Sequence, residues 1–78
     1  MPTVLRSGQY RLFFYSANGA EPPHVHVERD DKTAKFWLDP VRLQDSGGFN
    51  RVEIGRVRAI VEDNLQMLLR SWDEFFST

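Results

Sequence analysis

Seventy-eight residues, 41% of them hydrophobic and ten basic against eleven acidic, are enough for one small core and too few for a second domain or a large internal cavity. The absence of cysteine excludes disulfides, thiolate metal sites and cysteine nucleophiles, and a net charge of −1 supplies no overall pull towards nucleic acid or anionic lipid. No run of about 18 apolar residues occurs, and the start Met1-Pro2-Thr3-Val4-Leu5-Arg6 has no apolar stretch of signal length, so the expectation is a soluble, cytoplasmic chain that does not enter a membrane.

Turn signals at Ser7-Gly8, Ala17-Asn18-Gly19-Ala20, Glu21-Pro22-Pro23 and Asp30-Asp31-Lys32 divide the first half of the chain. Four strands fit between them, at Thr3 to Arg6, Gln9 to Tyr15, His24 to Glu28 and Thr33 to Leu38. Their close spacing predicts an antiparallel meander, because a parallel crossover needs a dozen or more residues. Asp39-Pro40 reads as the end of the sheet, and Val41 to Gly48 as a loop or a short turn of helix. Asn50 is a natural N-cap, and Glu53 three residues later has the spacing of a capping box. From there Ile54, Val57, Val61, Leu65, Leu68, Trp72 and Phe75 recur at intervals of three and four, drawing one apolar stripe down a helix.

The expected fold is therefore α+β: a single domain, residues 1–78, with a four-stranded antiparallel meander and one long C-terminal helix packed on one face. A continuous helix from Arg51 to Phe76 would span about 39 Å against strands of about 20 Å. Either it breaks, near Glu62-Asp63-Asn64, or its overhang packs on a partner chain. Ile60 and Met67 lie off the main stripe, covered by the loop Val41 to Phe49 in the simpler reading and by a second copy in the other.

The two histidines of the chain stand in the third strand as His24-Val25-His26-Val27-Glu28. A period of two puts His24, His26 and Glu28 on one side and the valines on the other. With Leu12, Phe14, Phe36 and Leu38 turned to the helix, the open side would carry Arg11, Phe13, Tyr15, Lys35 and Trp37 beside the histidines. Aromatics mixed with cations suit protein contacts, and they also suit stacking of unpaired bases. A homodimer is the simplest way to bury such a face.

Three readings of the histidine pair stand open. Two imidazoles at i and i+2 could begin a zinc site with Glu28 as third ligand, although His24 and Glu28 lie about 13 Å apart along the strand. They could be the general acid and base of a metal-free ribonuclease, with phosphate held by Arg29, Lys35 or Arg11. They could equally be structural, hydrogen-bonding to neighbours. No cofactor or metal is expected overall. Arg51, Arg56 and Arg58 crowd the half of the helix where the macrodipole favours anions, so Asp39, Asp45 or Glu53 is expected to pair with them, or else an acidic partner or nucleic acid docks there.

The runs Met1-Pro2-Thr3-Val4-Leu5-Arg6, Tyr10-Arg11-Leu12-Phe13-Phe14-Tyr15-Ser16, Glu21-Pro22-Pro23-His24-Val25-His26-Val27-Glu28 and Ala34-Lys35-Phe36-Trp37-Leu38-Asp39-Pro40-Val41, with the closing Trp72 and Phe75-Phe76, resemble a small bacterial family, domain of unknown function family 4160. The Pro-Pro-His-x-His-Val element is the most specific part of the likeness, which spans nearly the whole chain. The resemblance implies single small domains, often encoded beside another small protein in pairs that look like toxin–antitoxin modules. It brings no catalytic set with it.

The functional expectation is a macromolecule-binding module, one component of a toxin–antitoxin-like or mobile-element system acting through protein–protein contacts. The alternative is a metal-free ribonuclease toxin in which His24 and His26 are acid and base. Arg11, Tyr15, Glu28, Arg29, Lys35 and Trp37 are the candidate binding residues.

Overall fold

The computed structural model describes residues 3–15 and 20–76. Five antiparallel strands run β1 (Thr3–Ser7), β2 (Tyr10–Phe13), β3 (His24–Arg29), β4 (Lys32–Leu38) and β5 (Val41–Asp45), each bonded to the next in chain order. Two helices follow, α1 (Arg51–Asp63) and α2 (Leu65–Phe76). The turn signals placed in residues 16–19 lie outside the described residues.

Alternation along the strands sorts the side chains as expected. Leu12, Val25, Val27, Ala34, Phe36 and Leu38 face the helices and are completely buried, together with Phe14 just beyond β2. Val57 and Val61 of α1 and Leu68 and Trp72 of α2 close over them, with Ile54, Leu65 and Phe75 packed at the margin. The apolar stripe read from the sequence is thus the stripe that seals the core. β3 and β4 join through a two-residue acidic turn in which Asp30 takes a left-handed conformation (φ 57°), which Asp tolerates better than most residues.

The sheet has five strands where four were expected. Asp39-Pro40 does not stop it but forms the tight turn of a further hairpin, with Leu38 opposite Val41. A turn position needs no amide from proline, so the residue that would interrupt a strand is harmless here. Val41-Arg42-Leu43-Gln44 alternates apolar and polar, which was the overlooked signal. After β5 the chain folds back so tightly that a Cβ on Gly47 (φ 60°) would sit 1.8 Å from the carbonyl oxygen of Thr33. Glycine alone fits that turn.

The single long helix is corrected in favour of the other alternative, a break near Glu62-Asp63-Asn64, because it breaks at Asn64. The Asn64 side-chain amide donates to the carbonyl of Ile60 (2.8 Å), and its backbone leaves helical geometry (φ −115°, ψ 18°). Asparagine commonly competes with the helix for backbone partners in this way. Its own carbonyl then accepts from Leu68 N–H (2.9 Å), the bond that begins α2. Ile60 and Met67 end half-buried against the core. At the other end Asn50 caps α1, accepting from Glu53 N–H at 2.8 Å. The reciprocal half of the capping box is absent, since the Glu53 carboxylate turns to Arg29 and Tyr10 instead.

Candidate functional site

On the side of the sheet away from the helices, Arg11 lies opposite Glu28, Phe13 opposite His26 and His26 opposite Lys35. His24 lies opposite Trp37, and Trp37 opposite Arg42. The expected face is therefore assembled, with Arg42 and Gln44 added by β5. Arg29 is the exception among the candidate residues. It shares the side of Val25 and Val27, and its guanidinium pairs with Glu53 at the start of α1.

This face covers itself. Arg11 grips the Glu28 carboxylate through two nitrogens (2.8 and 2.9 Å) and lies 4.4 Å over the Phe13 ring. Lys35 bonds to Glu21 (2.9 Å) and sits 4.8 Å over Trp37. Underneath, aromatic rings run in contact. Tyr15 stands edge-on to His26 at 4.5 Å, Phe13 stacks on His26 at 5.5 Å, and His26 meets His24 at 5.2 Å. His24 in turn touches Trp37 (5.6 Å) and Trp72 of α2 (5.0 Å), which also packs on Phe14. Phe13 is left only 1% exposed although no helix lies over it. Tyr15, at 39%, is the most exposed ring of the cluster, and Trp37 is half-buried.

His24 corrects the outward-looking pair read from the strand. Its side chain is on the open side, yet it is 0% exposed, because Trp72 reaches it from α2 and Trp37 from β4. Nδ1 lies 2.9 Å from the Pro22 carbonyl, which only accepts, so Nδ1 carries the proton and Nε2 the lone pair. That Nε2, and that of His26, are buried and without a partner among the described residues. Burial disfavours the imidazolium in both. It lowers the pKa of His24 despite the Pro22 bond, and with the His24 and Lys35 charges it brings His26 down to about 4. Both rings are neutral at pH 7. Glu21 is held below the usual carboxylate range, chiefly by its bond to Lys35.

Chemically, the cluster presents two neutral imidazoles, one sealed and one half-buried, and no accessible acid–base pair in this conformation. Glu28, considered as a third metal ligand, is engaged by Arg11. No group of three or more His, Asp or Glu side chains placed to hold a metal ion occurs among the described residues. Besides charged groups such as Glu28, the face offers to solvent Tyr15, half-buried Trp37 and a groove of about 420 Å³ lined by Pro22, Trp37, Asp39, Pro40, Arg42 and Gln44. Trp37 Nε1–H donates to Gln44 Oε1 (3.0 Å), which holds the indole along that groove. Arg42 and Gln44 are not among the residues that the sequence points to, because Val41 to Gly48 reads there as a loop or a short turn of helix and not as β5.

A second groove, of about 670 Å³, lies on the other side between Tyr10, Arg29, Asn50, Glu53 and Arg56. Tyr10 O–H donates to Glu53 (3.1 Å), and burial followed by that bond raises the phenol pKa. Burial also pushes Glu53 upwards, but its bonds from Arg29 and Tyr10 outweigh this and hold it low. The pairing expected for Arg51, Arg56 and Arg58 is not found among the described residues, since Glu53 is taken by Arg29 and Asp45 accepts from Gly47 N–H.

No helix among the described residues is long and apolar enough to cross a membrane. Neither curated proteins nor solved structures yielded a match to the chain. Residues 10–73, most of the sequence, match the family described as Domain of unknown function (DUF4160), and the chain belongs to that family.

Proposed function

We propose that this member of the family is a macromolecule-binding module that engages a protein partner through the open face of its sheet, as one component of a two-gene system of the toxin–antitoxin or mobile-element kind. The observation that carries the reading is the exposed margin of that face. Tyr15 and the Trp37 groove reach solvent on a platform whose other side chains are locked by ion pairs and ring contacts. Rigid aromatics beside an arginine are the side chains that anchor protein interfaces at low entropic cost. The two-gene setting rests on the family likeness, whose members are often encoded beside a second small protein.

The ribonuclease alternative draws less support. A general acid–base pair must reach the scissile group, and His24 is sealed while His26 is the neutral imidazole at pH 7, without the second proton that a general acid would give up. Titrating the purified chain with the small protein encoded by the neighbouring gene tests the first reading. Saturable heat is expected, weakened roughly tenfold or more by Trp37→Ala and by Tyr15→Ala with the circular dichroism unchanged. Binding indifferent to both substitutions, or none, removes it. Cleavage of a fluorogenic RNA that is lost in His26→Ala would move the protein to the enzyme class.

A further inference from the structure

The two edges of the sheet are unlike. β1 is partly sheltered, with Val4 and Leu5 packed against the core, whereas β5 is exposed from Arg42 to Asp45. β5 bonds to β4 on one side, and nothing pairs with its other side among the described residues. In an antiparallel strand alternate residues turn their N–H and C=O groups to that side, where they form a template for another strand. The bulge in β5 lies near its far end, and Val41 to Leu43 keep regular register with Leu38 to Phe36.

Charge flanks this edge on both faces. Arg42 stands on the open face, opposite Trp37. Arg58 of α1 lies 5.9 Å over the ring of Phe36, whose cross-strand partner is Leu43, so a second guanidinium lies below the same edge. Neither arginine joins a salt bridge among the described residues. Leu43, 38% exposed, sits on the helix side of the strand. Of the nearby acids, Asp45 is occupied by Gly47 N–H, and Asp39 lines the Trp37 groove together with Arg42 but forms no ion pair with it.

We infer that β5 receives an acidic, extended peptide segment of a partner protein as a sixth strand, with one carboxylate meeting Arg42, another meeting Arg58 from the opposite face, and an apolar side chain against Leu43. This rests on the protein-binding reading and names the chemistry of the partner. Nucleic acid would satisfy the arginines but leave the backbone edge bare. A second copy would bring the same two positive charges to the edge. Of the three cations in the N-terminal half of the helix, Arg58 thus acquires a use.

The test uses the full chain and a capped peptide of three Glu-Glu-Val repeats, with three Lys-Lys-Val repeats as control, followed by amide hydrogen exchange. The acidic peptide is expected to bind saturably and to slow exchange at β5 alone. Arg42→Glu and Arg58→Gln each weaken it roughly tenfold, and the basic peptide does not bind. Arg42 is exposed, so its reversal leaves the melting temperature unchanged and serves should the Arg58 variant unfold. The inference is overturned by any of four results: no saturation up to about 1 mM, protection at β1, affinity unchanged in Arg42→Glu, or an unstructured RNA that binds through both arginines without protecting β5. Protection of β5 that grows with protein concentration alone would hand the edge to a second copy. If the edge fails while Trp37→Ala still controls partner binding, only this inference falls. If Trp37→Ala has no effect, the broader reading falls with it.

Discussion

The two sides of this sheet are dry for different reasons. On one side Val25, Val27, Phe36 and Leu38 are sealed by two helices, an ordinary hydrocarbon core. On the other, Phe13 and His24 are just as inaccessible, yet their cover is made of neighbouring rings and of long side chains pinned by ion pairs, Arg11 to Glu28 and Lys35 to Glu21. Methylene stems and guanidinium planes shield apolar surface while keeping their charge in water. A strand position therefore decides which side a residue is on, and its lateral neighbours decide whether it is wet. Of the aromatic rings on the open side, Tyr15 and, beside β5, the Trp37 groove remain available.

Truncation measures the two covers directly. Phe36→Ala should cost about 3–5 kcal/mol in denaturant unfolding, enough to leave so small a domain largely unfolded. Phe13→Ala, on the uncovered side, should approach the lower end of that range. A cost below about 1 kcal/mol for Phe13→Ala would show that its shelter is loose and that the open side is an ordinary surface.

Protonation probes the same contrast. The folded-state pKa of His26 is about 4 against an ordinary 6.5, so between these values the unfolded chain takes up a proton that the folded chain refuses. Stability is intact above pH 6.5 and falls as the pH drops towards 4, by on the order of 2 kcal/mol, with His24 acting in the same direction. Urea unfolding from pH 8 to pH 4.5 should show this slope, and His26→Gln should flatten it. A wild-type profile that is level across the window would mean that the imidazoles are solvated.

Two smaller effects refine the picture. His24→Leu fills the same space without the orphaned Nε2, and should change stability by no more than about 1 kcal/mol. A much larger loss would give the Pro22 bond a weight not assigned to it here. Arg11→Ala breaks a partly exposed pair and should cost less than about 1 kcal/mol, shrinking further in high salt. Its sharper signature is faster exchange at Phe13, whose ring it covers.

Much of this could be read before any coordinates. The strands β1 to β4, the Asp30 turn, the Asn50 cap and the helical stripe follow from local spacing, because periods of two and of three to four are imposed by backbone geometry. β5 was missed because Asp39-Pro40 was weighed as a terminator and the short alternation beyond it was not. The helix break at Asn64 rests on one side chain that chose the Ile60 carbonyl over solvent. Of the candidate residues Arg11, Tyr15, His24, His26, Glu28, Lys35 and Trp37 do share a side, while Arg29 belongs to the other.

Sequence alone determined the strands β1 to β4, the helical stripe, the sidedness of the third strand and the membership of the family. Tertiary structure decided that His24 is sealed, that Glu53 serves Arg29 and that β5 stands, among the described residues, as an open edge flanked by two arginines without an ion pair. The reason is the range of the interactions. Periodicity is written between residues two to four apart, whereas exposure and pairing depend on groups such as Trp72 and His24 that meet only after the chain has closed on itself.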